Sequence, residues 1–143
     1  MTDKAKKYFT VVEAERLIPH LEALVGRIMD CHAEAGQLRA ALAEAQRRVM
    51  LSGGTRLDQE FWRSRRARLG QATGEMEEKI GEILRLGAVP KDLGLGLVDF
   101  LSRLDGREIN LCWRLGEQRI RFWHGLDEGY TGRKALPETF EET

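Results

Sequence analysis

The dipeptide Asp105-Gly106 lies between two runs of strand-forming residues in the stretch Gly96–His124. Both central positions of a type I′ hairpin turn need a positive φ, and Asp-Gly accepts that conformation readily. A second and weaker turn signal is Gly116-Glu117, in which glycine comes first, as a type II′ turn requires. The two turns predict three antiparallel strands joined as a meander.

A two-residue turn fixes which residues face each other, so the two sides of the predicted sheet can be assigned. Side chains alternate between the sides along each strand, and one side is almost wholly apolar and must be covered. A bulged second turn would turn the third strand over and change the assignment there. The predicted pairs on the apolar side are Leu104–Arg107, Ser102–Ile109, Phe100–Leu111, Val98–Trp113, Trp113–Ile120, Leu111–Phe122 and Ile109–His124.

The opposite side of the predicted sheet is rich in polar residues. Arg114 and Arg119 face each other there, which like charges resist. Such a pair suggests a missing anion, either an acidic residue from elsewhere in the fold or a ligand. The other interpretation is a solvated surface on which Asp99 neutralises its neighbours. The candidate ligand-binding residues on this side are Asp99, Asn110, Cys112, Arg114, Arg119, Arg121 and Trp123.

An apolar residue recurs at alternating steps of four and three from Leu17 to Val49. This heptad pattern predicts a helix packed lengthwise on another helix, as in a coiled coil. Thr10 and Glu13 fit a capping box at its start, and the helix is expected to run to about residue 51. Pro19 lies inside the pattern and predicts either a kink or a short break.

A second helix is predicted from about Arg56 to Leu86, with Thr55 and Asp58 as its caps. The short connection at 52–55 makes the two helices antiparallel.

Three glycines share one stripe of the second helix, and each costs about 1 kcal/mol relative to alanine. Close approach of another backbone, from the first helix or from a second subunit, would offset this cost. The other interpretation is a modestly stable helix that tolerates its glycines. The three residues are Gly70, Gly74 and Gly81.

Arginines crowd near the predicted tip of the helical hairpin, with an aromatic residue among them. This pattern is typical of surfaces that bind a phosphate backbone or another anion. The other interpretation is a solvated helix face paired with acids such as Asp58 and Glu60. The candidate residues for nucleic-acid or anion binding are Arg56, Trp62, Arg63, Arg65, Arg66 and Arg68.

Composition argues against several classes of protein. The 23 basic and 23 acidic residues cancel, so no global field favours nucleic acid. Cys31 and Cys112 lack C-x-x-C spacing, which predicts neither a disulfide framework nor a zinc site. No apolar run approaches the about 20 residues of a membrane span, and the N-terminus has no apolar signal core. We therefore expect a cytoplasmic protein without membrane contact.

Cys112 and His124 suggest a nucleophile and a base. The predicted register puts them on opposite sides of the sheet, so a thiol enzyme is not expected. No His, Asp or Glu cluster has metal-ligand spacing, and no nucleotide-binding or hydrolase motif is present. The sequence thus predicts no metal and no cofactor, and an enzyme using the polar sheet side around Asp99 is the least favoured hypothesis.

Several motifs, which cover both ends of the chain, resemble one known family. They are Tyr8-Phe9-Thr10, Glu13-Ala14, Leu17-Ile18-Pro19, Lys91-Asp92-Leu93, Gly96-Leu97-Val98-Asp99-Phe100, Asp105-Gly106-Arg107-Glu108, Leu111-Cys112-Trp113-Arg114-Leu115-Gly116-Glu117, Phe122-Trp123-His124, Gly129-Tyr130 and Gly132-Arg133. By these motifs the chain resembles the bacterial domain-of-unknown-function 2203 family. One difference is Leu101, where a proline commonly follows the aspartate-phenylalanine pair. The resemblance implies a shared fold and no particular activity.

Together these patterns predict an α+β fold in a single domain, residues 1–143. A long antiparallel helical hairpin (8–86) packs on a small three-stranded antiparallel meander sheet with a C-terminal loop (87–136), and 137–143 form a loose tail. The apolar seam of the first helix is longer than the second helix can cover. The favoured function is therefore a non-enzymatic interaction module, a homodimer or a binder of a protein partner. The alternative is anion or nucleic-acid binding through the arginine-rich tip or the polar sheet side.

Overall fold

Two long helices and one antiparallel sheet make up the fold, which a computed structural model describes for residues 6–53 and 58–137. The α+β class is as predicted, but the sheet has five strands rather than three, in the order β1-β2-β3-β4-β5. The elements are α1 (Val11–Arg16), α2 (Ile18–Leu51), α3 (Gln59–Arg85), β1 (Val89–Asp92), β2 (Leu97–Leu104), β3 (Arg107–Arg114), β4 (Phe122–Gly125), a 3₁₀ turn (Tyr130–Gly132) and β5 (Lys134–Ala135).

The first predicted helix is divided at Leu17 into α1 and α2. The Thr10 hydroxyl accepts a hydrogen bond from the Glu13 amide, and the Glu13 carboxylate accepts one from the Thr10 amide, so the capping box is present. Pro19 lies in the first turn of α2, where its missing N–H has no helical partner to lose. The proline therefore marks a short break between two helices.

α2 and α3 are antiparallel, as two ion pairs between them show. Arg27 Nη2 lies 2.7 Å from Glu75 Oε2, and Arg68 Nη2 lies 2.9 Å from Glu34 Oε2. A step forward along α2 from 27 to 34 thus corresponds to a step back along α3 from 75 to 68. None of the helices in 6–53 and 58–137 combines the length and low polarity needed to cross a bilayer.

α3 begins after Asp58, whose carboxylate accepts hydrogen bonds from the amides of Glu60 and Phe61. The other predicted cap, Thr55, and the predicted first residue, Arg56, lie outside the described residues, as does most of the predicted tail, 138–143.

The glycine stripe of α3 is not explained by contact with α2. A Cβ atom added at Gly70 or Gly74 would meet no atom within 4 Å, and one at Gly81 would meet the Arg85 side chain. Close approach of the first helix, one of the three interpretations of this stripe, is therefore not what the described residues show. The two other interpretations, a second subunit and tolerated glycines, stay open.

The first hairpin of the sheet forms as predicted. Asp105 and Gly106 have φ angles of 51° and 77°, as a type I′ turn requires. The register of β2 with β3 is the predicted one, with the pairs Leu104–Arg107, Ser102–Ile109, Phe100–Leu111 and Val98–Trp113.

The prediction of a two-residue turn at Gly116-Glu117 is wrong. The predicted orientation of the third strand, which depended on that turn, is therefore wrong as well. The turn closes one residue earlier: the Glu117 amide donates to the Arg114 carbonyl at 3.0 Å, and Gly116 has a φ of 105°. Glycine is thus the second central residue, as in a type II turn, and not the first. Residues 115–121 separate β3 from β4, so the connection is much longer than two residues.

The longer connection shifts the register of β4 by one residue. Cys112 pairs with Phe122 and Asn110 pairs with His124, whereas the prediction placed His124 opposite Ile109. A shift of one residue turns every side chain of a strand to the other side of the sheet. His124 therefore lies on the polar side, and the indole of Trp123 packs against the core.

The core lies between the apolar side of the sheet and the lower half of the helices. Phe100 and Trp113 of the sheet are fully buried, as are Leu21 of α2 and Ile83 of α3. Beyond Ala35, no described residue of α2 is buried. The upper half of the hairpin thus rests on contacts between the two helices alone.

The turn before β4 is open to a direct test. Substituting Gly116 with alanine is expected to lower the free energy of unfolding by about 1–2 kcal/mol, because a Cβ atom is strained at this positive φ. Gly129→Ala is the matched control: Gly129 is also exposed and has open space around it, but its φ is −110°. Urea unfolding followed by tryptophan fluorescence measures both, and equal effects would contradict the assigned turn.

Candidate functional site

Three buried polar side chains meet on the side of the sheet away from the helices. Asp99 of β2, Cys112 of β3 and His124 of β4 are exposed by only 3%, 1% and 3%. Asp99 pairs directly with Cys112, and the shifted register of β4 adds His124. One ligating atom from each residue lies within 4.8 Å of the other two. The prediction that a sheet separates Cys112 from His124, and that no metal-ligand cluster forms, is therefore wrong.

His124 and Asp99 share one proton. His124 Nδ1 lies 2.8 Å from the Gly125 carbonyl oxygen, which can only accept, so Nδ1 carries a hydrogen. His124 Nε2 lies 3.0 Å from Asp99 Oδ2. Burial raises the pKa of Asp99, while the hydrogen bond from His124 acts in the opposite direction.

The second carboxylate oxygen of Asp99 is left without a partner. Oδ1 is buried and no described group has hydrogen-bond geometry to it, although the nearby Cys112 thiol, a weak donor, also acts to lower the pKa of Asp99. An unsatisfied buried polar atom costs about 1–3 kcal/mol, so such atoms usually have a bound water or ion as their partner. A water molecule or an ion bound at this oxygen would therefore remove an energetic cost.

Cys112 is a poor nucleophile in this environment. Burial and the nearby charge of Asp99 raise the pKa of its thiol to about 11. At pH 7 this leaves roughly one thiolate in 10⁴ molecules, whereas catalytic cysteines have lowered pKa values. Although Cys112 and His124 lie on the same side of the sheet, the site does not favour thiol catalysis.

A cavity of about 260 Å³ opens beside the three buried side chains, and we call it the sheet pocket. Asn110 lines it together with Asp99 and Cys112, so three of the candidate ligand-binding residues come together as predicted. The remaining lining residues come from β1, β2, β4 and the segment after β4; they are Lys91, Asp92, Leu97, His124, Leu126, Glu128, Gly129 and Tyr130.

The other candidate ligand-binding residues lie elsewhere. Arg114 donates to the hydroxyl of Tyr130 at 3.0 Å, at the edge of the pocket. Arg119 and Arg121 are exposed in the connection before β4 and border a separate concavity with Glu117. Because that connection is long, Arg114 and Arg119 do not form the predicted cross-strand pair. Trp123, which was expected among them, lies on the apolar side.

Most arginines at the hairpin tip already have partners. Four of them form ion pairs with glutamates: Arg47 and Arg48 with Glu44, Arg63 with Glu60, and Arg68 with Glu34. Two others lie over aromatic rings, Arg65 over Phe61 at 3.8 Å and Arg66 over Trp62 at 5.2 Å. Arg56, the remaining candidate, lies outside the described residues. The interpretation of a paired, solvated helix face therefore fits most of this surface.

A family model described as "Uncharacterized conserved protein (DUF2203)" matches residues 7–136, nearly the full chain. The chain belongs to the DUF2203 family. The resemblance that the motifs predicted is thereby confirmed. No curated protein and no solved structure matches the chain, so the DUF2203 description brings no activity with it.

Arg133 is a residue of this DUF2203 protein that sequence reasoning missed. Its guanidinium donates to the Cys112 carbonyl at 3.1 Å and to the Glu117 carboxylate, and it lies over the Phe122 ring at 4.1 Å. It therefore ties the C-terminal segment to β3 and to the turn before β4. Its only signal in the sequence was its place in the Gly132-Arg133 motif, which carries no indication of its contacts.

The raised pKa of Cys112 predicts slow alkylation. In a Cys31→Ser variant, we expect Cys112 to react with iodoacetamide at pH 8 at least about 100-fold more slowly than a free cysteine, because only the thiolate reacts. The rate should rise about tenfold per pH unit toward a pKa of about 11. A rate that levels off near pH 8.5 in the folded protein, followed by mass spectrometry, would contradict this.

Proposed function

We propose that this DUF2203 protein is an interaction module that forms a homodimer through the outer face of α3. This face lies away from the buried residues Ala72, Met76 and Ile83 of α3, and its residues recur at helical steps of three and four. At its N-terminal end, Arg63 and Arg66 also border a groove that α2 helps to line. All residues of this face are exposed. We call the set the α3 face: Arg63, Arg66, Ala67, Gly70, Gly74, Glu77 and Glu78.

The small residues of the α3 face support close contact with another helix. Glycine is the least favourable helix former after proline, and an exposed helix surface is a place where good helix formers cost nothing. Gly70 and Gly74 nevertheless occupy the middle of this face, with open space beyond each Cα atom. Within the described chain nothing uses that space. A second α3 would gain close backbone packing there.

The order of charges on the α3 face is the observation that carries this proposal. Arginines occupy its N-terminal half, and Glu77 and Glu78 occupy its C-terminal half. If two copies of α3 pack antiparallel about a two-fold axis level with residue 72, Arg66 of one faces Glu78 of the other, and Gly70 faces Gly74. A two-fold interface must be self-complementary in this way. Parallel packing would instead place arginine on arginine.

The charged residues that would pair between the two subunits form no ion pairs within the described part of one chain. This holds for Arg66 and Glu78, and for Glu77 beside Glu78. Arg66 lies over the Trp62 ring and borders a groove that α2 helps to line. Pairing these residues between subunits thus breaks no existing ion pair. The zero net charge of the chain also removes any general repulsion between two copies.

A bulky residue in the middle of the α3 face should separate the subunits. We expect the wild-type protein to sediment as a dimer, with twice the 16.3 kDa mass of one chain, at micromolar concentration. Gly70→Leu should sediment as a monomer, since the side chain prevents close approach while improving helix propensity. Gly36→Leu, at an exposed glycine of α2 with similar open space, is the matched control and should leave the dimer intact.

Charge reversal then tests the antiparallel register. Glu78→Arg alone should weaken the dimer, and adding Arg66→Glu should restore it, because the two positions face each other across the axis. A monomeric wild-type protein, or a dimer that Gly70→Leu leaves unchanged, would contradict the proposal. Restoration by Arg66→Glu distinguishes this register from any other use of the same face.

Binding of an anion or nucleic acid at the hairpin tip is a second candidate function. Arg65 and Arg66 favour it, because neither forms an ion pair in the described residues and both lie over aromatic rings. Filter binding of a nucleic acid should then fall steeply between about 50 and 200 mM salt, since phosphate contacts release counterions. Arg65→Gln should reduce binding, and Arg39→Gln, lower on α2, should not. Binding that does not depend on salt would exclude this candidate.

A further inference from the structure

We propose that the sheet pocket binds a divalent transition metal ion, with zinc as the best fit. Asp99 Oδ1, Cys112 Sγ and His124 Nε2 are the three protein ligands. The proposal concerns the opposite side of the core from the α3 face and does not depend on dimer formation.

The three side chains converge from three adjacent strands. One possible ligand atom of each side chain lies within 4.8 Å of those of the other two. Zinc binds nitrogen and oxygen at 2.0–2.2 Å and sulfur at about 2.3 Å, so ligands of one tetrahedral ion lie about 3.3–3.6 Å apart. Side-chain movements of about an ångström therefore bring the three atoms onto one ion. Paired strands hold the backbone positions, which is what a metal site needs from its scaffold.

Asp99 provides an independent observation that points to a cation. Its side chain is 3% exposed, it lines the pocket, and Oδ1 has no hydrogen-bond partner of good geometry among the described residues. A buried carboxylate oxygen without a donor is the atom that a metal ion would satisfy.

His124 is oriented as a metal ligand would be. Its Nδ1–H donates to the Gly125 carbonyl oxygen at 2.8 Å, which fixes the ring and turns Nε2 toward Asp99. Ligating histidines usually donate their other ring nitrogen to a carbonyl or carboxylate in this way. A metal bound at Nε2 would displace the hydrogen that now lies between Nε2 and Asp99 Oδ2.

The charges and protons balance on binding. The Asp99–His124 pair releases its shared proton, and the Cys112 thiol releases a second proton as its sulfur coordinates the ion. The result is one divalent cation with one carboxylate, one thiolate and a neutral imidazole. The site is then neutral, as a buried environment favours.

The ligand set selects the class of metal. A thiolate and an imidazole suit zinc and neighbouring transition metals, whereas magnesium and calcium require oxygen ligands. Three protein ligands leave a fourth position on the side of the cavity of about 260 Å³. An open fourth position is the arrangement found where a metal binds water or a further ligand.

Cobalt(II) titration of chelator-treated full-length protein tests the site. We expect one equivalent to bind, with the visible bands of a tetrahedral ion and a thiolate-to-cobalt charge-transfer band, and zinc to displace it. Cys112→Ser should lose the charge-transfer band, and Asp99→Asn should weaken binding at least about tenfold. The control is Cys31→Ser, which removes the other buried cysteine, in contact with Glu75, and should keep every band.

A second measurement needs no change to the ligands. In the Cys31→Ser protein, zinc should slow alkylation of Cys112 at least about tenfold, while magnesium should not. The proposal is overturned if cobalt gives no thiolate band in the wild-type protein, if the band survives in Cys112→Ser, or if zinc leaves alkylation unchanged. The alkylation result decides the question even if a ligand variant fails to fold.

Discussion

The hydrogen bond from the Glu117 amide to the Arg114 carbonyl closes the turn that sets the orientation of β4. Other hydrogen bonds of Glu117 also stabilise this turn. Its carbonyl accepts from the Trp113 indole at 2.8 Å, and its carboxylate accepts from the Arg114 amide at 2.7 Å and from Arg133. The core and the sheet pocket both depend on this residue, because one shift of β4 would bury His124 under the helices and expose Trp123 on the polar side.

The dependence of β4 on contacts made by Glu117 explains which parts of the fold could be predicted from the sequence. The Asp105-Gly106 turn, the capping box at Thr10 and the heptad pattern are local, since each needs only residues a few positions apart. The second turn is different because a single glycine fits either of its central positions. Gly116 as the first gives a type II′ turn, and Gly116 as the second gives a type II turn. The side chains of β4 point in opposite directions in the two cases, and only tertiary contacts such as those of Glu117 decide between them.

The same reasoning applies to the candidate site. Asp99, Asn110 and Cys112 could be grouped from the sequence because the correctly predicted first hairpin carries all three. His124 could not be added, since its place depends on the second turn. The motif that helps to relate the chain to the DUF2203 family contains this turn, in Leu111–Glu117. Its glycine and glutamate have structural roles here. Similarity to the family in this stretch is therefore evidence for a shared fold and not for a shared activity.

Two features of the chain oppose stability, and each of them supports one of the two proposals. Alanine in place of Gly70 or Gly74 would favour α3 by about 1 kcal/mol each without meeting any other atom. Asp99 keeps one buried oxygen, Oδ1, without a hydrogen-bond partner of good geometry among the described residues, which costs about 1–3 kcal/mol. Natural proteins generally break such local rules at functional positions, where a gain made elsewhere offsets the cost. For the glycines the proposed gain is contact between subunits, and for Asp99 it is a bound cation, so each cost indicates the surface on which its proposal can be tested.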